Sequence, residues 1–328
     1  MTTDERFEGV EKRLEIVFSP TAGKLREKLT EKLLEQILKD VKCHIVSRKL
    51  EEKVDAYLLS TSSCFVYDDR VIVKTCGETE IFKCMESLMG ITDHQNVVSV
   101  VYTRGGFFWP ERQPFPHNDD IEENKEFLKL LEKLTKLKPM KALCMGTGNK
   151  KWHVLGGFSG DSLTSQGDFV TVVEMSMRGL DREKAKVFYE KENVTKTTMT
   201  EESGICYIFP NAIIDAHAFD KCGYSMNGIE GKRIPTIHVS PEDEGSFASF
   251  ESFGYDFKNE KKFEHVIPTV LKCFSPKQFT MTVYSTVPLE GNEPELKVDL
   301  KGYKCLEEKI HKLDNGGSVV YQSFEFEA

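Results

Sequence analysis

The feature that most limits the fold of this chain is the close spacing of three short apolar runs in its first quarter. Runs 56–59, 64–67 and 71–74 are separated by only four and three residues. A parallel pair of strands needs a crossover of about a dozen residues, so these runs can pair only as antiparallel neighbours. Asp68-Asp69-Arg70 has the composition of a tight turn between two of them. The sequence therefore predicts a largely antiparallel sheet.

Further strand-like stretches recur along the chain, with helical periodicity between them. Strands are predicted at 97–103, 141–145, 152–156, 170–177, 236–239, 279–286 and 318–326. Helices are predicted at 24–40, 78–88, 121–137 and 261–273. Three stretches rich in Gly, Ser, Thr or charge are predicted as surface loops, at 156–167, 190–203 and 287–294.

A faint internal repeat is visible in the strand pattern. Residues 98–103 (VSVVYT) are similar to residues 280–285 (TMTVYS), and a helix is followed by a strand in both halves. Helices combined with antiparallel strands indicate the α+β class, with an internal duplication. Because the loops do not look like domain boundaries, we predict one domain over residues 1–328.

Composition and charge disfavour several classes of protein. A net charge of −9 argues against a sequence-independent grip on nucleic acid. No apolar run approaches the ~20 residues that span a bilayer, and the first residues do not resemble a signal peptide. The nine cysteines are an odd number without a Cys-x-x-Cys pair, which favours free thiols over a metal or redox site. We therefore expect a cytoplasmic protein without nucleic-acid or membrane partners.

Four polar segments at strand ends are candidates for chemistry, at 60–63, 74–77, 222–228 and 236–242. Each has an ordinary structural interpretation. A Ser-Thr-Ser-Ser run is usually a turn, and a cysteine such as Cys76 after a strand is usually a small core residue. His238 could be an ordinary strand histidine, and Glu8 and Glu11 could belong to a solvated face. There is no G-x-G-x-x-G motif or P-loop to indicate a nucleotide-binding fold.

Taken together, these segments resemble the eukaryotic S-adenosylmethionine decarboxylase family. Matching segments cover nearly the whole chain, at 7–9, 11–15, 57–60, 74–77, 114–117, 179–183, 203–205, 222–227 and 236–238. Segments 151–154 and 249–251 are similar to the plant-type branch. The resemblance implies a four-layer α/β/β/α sandwich with two mainly antiparallel sheets. It also implies decarboxylation of S-adenosylmethionine to the aminopropyl donor for spermidine and spermine synthesis.

The family forms a covalent pyruvoyl cofactor from its own backbone and uses neither PLP nor a metal. Ser62 matches the processed serine, so the resemblance implies self-cleavage between Thr61 and Ser62. The products would be a small β chain, 1–61, and a large α chain, 62–328. His238 and Ser225 match residues that assist this step, the first by taking a proton and the second by steadying an oxyanion.

The resemblance also implies roles in substrate binding and turnover. Cys76 matches the proton donor, and Glu8 and Glu11 match acidic residues of the site. The remaining matches concern the nucleoside: Phe7 and Phe219 sandwich the adenine, Glu242 holds the ribose hydroxyls, and the backbone of Leu59 and Thr61 faces the adenine edge.

Some positions depart from the family pattern. Thr61 stands where Glu is usual, and Lys221 stands where Pro is usual. Putrescine-activated relatives bury an acidic residue where this chain has Val170, while Arg13 matches a built-in cation of plant-type forms. We therefore expect no activation by putrescine. The resemblance suggests a monomer, with a homodimer of processed units as the alternative.

Two other functions remain open at this stage. A processing-defective paralogue could bind a nucleoside or regulate a partner without catalysis, which the change at Thr61 would permit. A hydrolase could instead use Cys76 and His238 as a nucleophile pair. Retention of Ser62, Cys76, Ser225 and His238 together favours the decarboxylase.

Overall fold

The computed structural model describes residues 7–159, 170–192, 194–255, 263–285, 300–314 and 317–327. The chain divides into two compact units, a first unit of Val10–Ser165 and a second unit of Met1–Gly9 with Gln166–Ala328. Each contains an antiparallel sheet and helices, which confirms the predicted α+β class with two mainly antiparallel sheets. The prediction of a single domain over the whole chain stays a prediction.

The first unit begins with a strand, and most of its strands follow closely in sequence. Its elements are β1 (Lys12–Phe18), α1 (Leu25–Lys28), α2 (Glu31–Asp40), β2 (Ile45–Leu50), β3 (Asp55–Leu59), β4 (Ser62–Val66), β5 (Arg70–Thr75), α3 (Cys84–Met89), β6 (Val97–Gly105), α4 (Asp120–Leu134), β7 (Lys138–Pro139), β8 (Leu143–Met145) and β9 (Trp152–Phe158). The sheet order is β2-β3-β4-β5-β1-β6-β9-β7, and β8 also pairs with β9.

The second unit is built in the same way. Its elements are β10 (Thr171–Arg178), α5 (Arg182–Ala185), α6 (Lys196–Glu202), β11 (Ile213–Ala218), β12 (Tyr224–Ile229), β13 (Ile234–Ser240), β14 (Phe247–Phe253), α7 (Phe263–Phe274), β15 (Gln278–Ser285), β16 (Tyr303–Lys312) and β17 (Ser318–Phe326). The sheet order is β11-β12-β13-β14-β10-β15-β17-β16.

The two sheet orders support the internal duplication. In each unit the first strand lies between the fifth and the sixth strand of that unit: β1 between β5 and β6, and β10 between β14 and β15. A helix precedes the sixth strand in both units, namely α3 and α7. The similar segments 98–103 and 280–285 fall in β6 and β15, which occupy equivalent positions. The repeat seen in the sequence is therefore a repeat of sheet topology.

Alternating side chains of the central strand β1 form part of the core of the first unit. Leu14, Ile16 and Phe18 are buried in one cluster with apolar residues of the helices, including Leu34 of α2 and Phe127 of α4. An amphipathic helix is stabilised when its apolar face is buried in this way. The face of the first sheet that carries these three residues is therefore the one that the helices cover.

Three sequence predictions need correction. The helix expected at 24–40 is two helices, because the chain turns at Leu29 and Thr30 starts a new helix by accepting a hydrogen bond from the Leu33 N–H. The loop expected at 190–203 contains α6, whose first turn Thr195 caps through the Thr198 N–H. Residues 156–158 of another predicted loop belong to β9, and residues 160–167 of that loop lie outside the described residues. The loop 287–294 lies outside the described residues.

Several strands were also missed, among them β1, β2, β11, β12, β14 and β16. The strand β1 was missed because charged residues usually indicate a segment exposed to solvent. In the structure Lys12, Arg13 and Glu15 are all buried despite their charge. No helix within the described ranges is both long and apolar enough to cross a membrane.

A buried ionic cluster joins α4 to the first sheet. Arg104 donates from Nε to Glu123 at 2.7 Å and from Nη2 to Asp120 at 2.7 Å. Tyr102 and His117 also donate to Glu123, at 2.8 and 2.7 Å. Burial alone would raise the pKa of Glu123, but Arg104 and His117 outweigh it and lower that pKa to about 2. The carboxylate is therefore ionised and fully hydrogen-bonded at neutral pH.

His153, at the edge of this cluster, is expected to make stability depend on pH. Burial, followed by the positive charge of Arg104, lowers the pKa of His153 to about 4, from an ordinary value of 6.5. Below pH 6.5 His153 is protonated in the unfolded chain but stays neutral in the folded chain. The free energy of unfolding therefore falls as the pH drops from 6.5 towards 4. At pH 5 the loss through this residue is about 2 kcal/mol.

Chemical denaturation at pH 7 and pH 5 measures this effect. The variant His153→Gln should lose about 2 kcal/mol less than the parent between the two pH values. His311→Gln, on the edge strand β16, is the control and should follow the parent. Equal pH dependence of parent and His153→Gln would contradict the assignment.

Candidate active site

The predicted cleavage bond lies at the short connection between β3 and β4. Leu59 ends β3 and Ser62 begins β4, and the hairpin register pairs Leu58 with Ser63. Ser62 is fully buried and lies opposite Thr75 of β5. The bond before Ser62 is therefore held between two paired strands.

The Ser62 hydroxyl has an acidic partner. It donates to Oε1 of Glu11, and Oε2 of Glu11 lies 3.2 Å from the Lys74 ammonium. Lys74 is only 2% exposed, so its charge acts on Glu11 with little screening by solvent. The positive charge favours the ionised carboxylate, which is the form that accepts a proton from a hydroxyl. Lys74 was not assigned a role from the sequence, although a lysine between Val73 and Thr75 in a buried strand was a signal.

The carbonyl of Thr61 accepts two hydrogen bonds from one residue. The Cys76 N–H donates at 3.0 Å, and the Cys76 thiol donates at 2.5 Å. Two donors on one carbonyl withdraw electron density from its carbon and stabilise negative charge on its oxygen. The carbonyl that serinolysis would attack is thus the one with these donors.

In the second unit, Ser225 and His238 form a hydrogen-bonded pair. They lie opposite each other on β12 and β13, and Ser225 Oγ is 2.7 Å from His238 Nδ1. Both are nearly fully buried. The pair supplies a proton acceptor and a hydroxyl on the same face of the sheet.

Residues 7–9 belong to the second unit, where Gly9 packs against Phe247. A Cβ at Gly9 would lie 2.8 Å from the Phe247 ring, so this position requires glycine. Glu8 is 2% exposed, whereas Phe7 is 40% exposed. Burial lowers the pKa of Arg178 to about 10, and the negative charge of Glu8 partly offsets this effect. Arg178 was not predicted as a site residue.

Phe219 and Glu242 lie in loops that flank the second sheet. Phe219 follows β11, and its ring meets that of His217 edge-on at 4.8 Å between centroids. Glu242 lies near the Cys222 thiol: burial and then Glu242 raise the pKa of Cys222 to about 11. Phe219 and Glu242 are both partly exposed, so their side chains remain available for a ligand.

The predicted residues thus fall into two clusters, one in each unit. Glu11, Leu59, Thr61, Ser62 and Cys76 belong to the first unit, and Phe7, Glu8, Phe219, Ser225, His238 and Glu242 belong to the second. In the part of the chain that the structure describes, no group of three or more His, Cys, Asp or Glu side chains could hold a metal ion.

Comparison with known proteins shows which family the chain belongs to. Residues 4–325 match the family model described as adenosylmethionine decarboxylase. The chain belongs to the adenosylmethionine decarboxylase family. Among curated family members, the S-adenosylmethionine decarboxylase proenzyme 1 of Arabidopsis thaliana is 42% identical, with 97% of this chain and 89% of the relative covered. The proenzyme of Nicotiana tabacum is 40% identical, with 97% and 90% covered. These plant relatives confirm the predicted plant-type branch.

A family member of known structure has the same fold. The crystal structure of the Trypanosoma brucei AdoMetDC-delta26 monomer superposes with a TM-score of 0.60, covering 81% of this chain and 99% of that one. At 20% sequence identity, the likeness concerns the fold.

The backbone at Lys221, where the resemblance leads us to expect proline, does not suit a proline. Its φ is 68°, in the left-handed region, and its N–H donates to Glu190 at 3.1 Å. Proline fixes φ near −65° and has no N–H, so it fits neither feature. The loop before Cys222 therefore has a conformation that proline could not adopt.

Introducing proline at position 221 is therefore expected to destabilise the protein. Lys221→Pro should lower the free energy of unfolding by about 3 kcal/mol, through backbone strain and the lost hydrogen bond. Lys221→Gly removes the same charge but tolerates positive φ, so it should remain within about 0.5 kcal/mol of the parent. Denaturation midpoints of the three proteins measure this, and a proline variant as stable as the parent would refute it.

Proposed function

We propose that this chain decarboxylates S-adenosylmethionine with a pyruvoyl group that it makes from Ser62. The observation that carries the proposal is the arrangement around the bond between residues 61 and 62. A buried hydroxyl on Ser62 contacts a carboxylate of Glu11, and the neighbouring carbonyl accepts two hydrogen bonds from Cys76. These residues fit the formation of the group, because they provide a nucleophile, an acceptor for its proton and donors for the developing oxyanion.

Processing would then follow in three steps. The Ser62 hydroxyl gives its proton to Glu11 and adds to the Thr61 carbonyl carbon. The bond from that carbon to the Ser62 nitrogen then breaks as the nitrogen takes up a proton, so an ester and a free amine replace the amide. Loss of the Ser62 α-proton breaks the bond from Cβ to Oγ, which frees the Thr61 carboxylate and leaves dehydroalanine. Water then adds, ammonia leaves, and a ketone remains at the start of residues 62–328. We assign removal of the α-proton to His238. Ser225, which is hydrogen-bonded to that imidazole, is assigned the role of steadying the oxyanion.

Further residues of the chain are assigned roles in decarboxylation and substrate binding. A ketone of this kind condenses with an amine and accepts the electron pair that departing carbon dioxide leaves behind. We assign to Cys76 the role of the acid that donates the last proton of the reaction. Phe7 and Phe219 would stack on the adenine, Glu242 would bind the ribose, and Glu8 would face the cationic substrate. The backbone of Leu59 and Thr61 would meet the adenine edge.

Independence from putrescine is part of the proposal. Glu15 already has two cationic partners within the chain, Arg13 at 2.9 Å and Arg70 at 3.1 Å. A buried carboxylate that two guanidinium groups neutralise has little need of an added diamine. The cytoplasmic location, the absence of nucleic-acid and membrane partners, and a monomeric or homodimeric state are proposals as well. All nine cysteines are free thiols, which agrees with the location.

The denatured mass of freshly purified protein tests the proposal. Two fragments of 61 and 267 residues (328 − 61) are expected, the larger one reactive with a hydrazine at its N terminus. Borohydride treatment before labelling is the control, since it reduces a ketone and abolishes the reaction. The cleaved protein should release carbon dioxide from carboxyl-labelled S-adenosylmethionine, without stimulation by putrescine. A single intact chain without decarboxylase activity would instead favour the inactive paralogue.

A further inference from the structure

Lys12 is a buried lysine to which neither the sequence nor the proposed mechanism gives a role. It begins β1, where it lies opposite Thr75 of β5 and Arg104 of β6, and its exposed fraction is 0%. Removing an ammonium group from water is costly, so a buried lysine normally has specific partners. Those partners indicate what this side chain stabilises.

The Lys12 ammonium bridges two loops, which a more exposed ion pair between Arg112 and Glu78 also joins at 3.2 Å. It donates to the Gly77 carbonyl at 3.0 Å and to Oε1 of Gln113 at 2.8 Å. It also lies 5.4 Å from the centre of the Phe107 ring. Gln113 is itself only 3% exposed, so the bridge is shielded from water. Hydrogen bonds to a charged donor are stronger than those between neutral groups, most of all away from solvent.

The bridge fixes the turn that carries Cys76. Gly77 has a φ of 66° and follows Cys76 directly, so the held carbonyl is one peptide away from the thiol residue. The Cys76 carbonyl accepts from Thr79 Oγ1 at 3.2 Å, and the Cys76 N–H donates to Thr61 at 3.0 Å. Lys12 thus adds a buried anchor from β1 to a turn that also has contacts among its own residues, with Thr61 and, through Glu78, with Arg112.

We propose that Lys12, with Gln113, is a positioning pair that holds the Cys76 thiol against the Thr61 carbonyl. The pair acts through the Gly77 peptide. A displacement of about 1 Å is enough to impair a reacting group, so a rigid turn is what a proton donor at Cys76 requires. The consequence for turnover rests on the proposed function, whereas the effect on the thiol does not.

Alkylation of Cys76 in an uncleaved Ser62→Ala background tests the pair without the cofactor. A buried thiol reacts only when its surroundings open locally, and Cys76 is 6% exposed. Lys12→Met should raise the iodoacetamide rate at Cys76 about tenfold, and Gln113→Leu about threefold, because each removes part of a charge-assisted anchor. The exposed Cys305, in the second unit, is the internal reference and should react at an unchanged rate.

Arg26→Met is the matched control, since it removes another cation of the first unit that pairs with Asp55 and is remote in sequence from Cys76. A rise at Cys76 in this control as large as in Lys12→Met would indicate general loosening and overturn the proposal. An alkylation rate at Cys76 within twofold of the parent in Lys12→Met would also overturn the proposal. If Lys12→Met does not fold, the same result in Gln113→Leu would overturn it. In the cleaved protein, Lys12→Met should lower kcat about tenfold and leave KM within twofold, because the change acts through the thiol. Failure of wild-type cleavage would refute the proposed function and leave the alkylation result standing.

Discussion

Replacement of Ser62 by alanine is expected to abolish cleavage, leaving one chain of 328 residues under denaturing conditions. Alanine has no hydroxyl, so nothing can attack the Thr61 carbonyl, even though Cys76 still donates to it. Water is a poor substitute, because Ser62 is fully buried. The denatured mass after prolonged incubation is the measurement. The hydrazine-reactive ketone should disappear together with the second fragment.

Ser63→Ala is the matched control for this experiment. Ser63 is the next residue of β4 and is equally buried, so its substitution removes the same atom from the same strand. Ser63 is not joined to Thr61 by a peptide bond. The Ser63→Ala control should therefore cleave at a rate within a few-fold of the parent. Cleavage of Ser62→Ala, or equal loss in both variants, would contradict the assignment of the nucleophile.

Replacement of His238 by alanine is expected to stop processing after the ester has formed. The imidazole is assigned the α-proton, and loss of a general base of this kind costs about 10²- to 10⁴-fold in rate. An ester is cut by hydroxylamine under denaturing conditions, whereas an amide is stable. Hydroxylamine should therefore release residues 1–61 as the hydroxamate, with an intact serine at the start of residues 62–328.

The control for this variant is His311→Ala on the edge strand β16 of the same sheet, which should process normally. Ser225→Ala should slow processing less than His238→Ala, because the imidazole remains and loses one hydrogen bond. Cleavage of His238→Ala at the parent rate would remove His238 from the mechanism.

Much of the fold could be predicted because local spacing left few alternatives. The runs around the turn at 68–70 had to pair as antiparallel neighbours, and β3, β4 and β5 do so. The helix α4 was predicted within a few residues, since its apolar positions repeat at helical spacing. Motif resemblance identified the family, and the roles that it implies for Ser62 and His238 stay predictions.

The remainder depends on contacts between residues that are far apart in sequence. The strand β1 was missed because Lys12, Arg13 and Glu15 look like a solvated face until their buried partners are known. Lys74 and Arg178 could be noticed as charges in strands, yet nothing local indicates that they face Glu11 and Glu8. The left-handed backbone at Lys221 is likewise set by the loop around it and not by lysine itself.

The position of β1 in its sheet decides what the proposed self-cleavage would do to the molecule. Residues 1–61 include β1, β2 and β3, and β1 is hydrogen-bonded on one side to β5 and on the other to β6, both beyond the cut. The two proposed fragments would therefore be interdigitated, with one strand of the short peptide between two strands of the long one. Neither could diffuse away while the sheet is intact, so the cut chain would behave in native solution as a single particle. Its fragments would separate only when the sheet unfolds, and sizing under native conditions would not distinguish precursor from product.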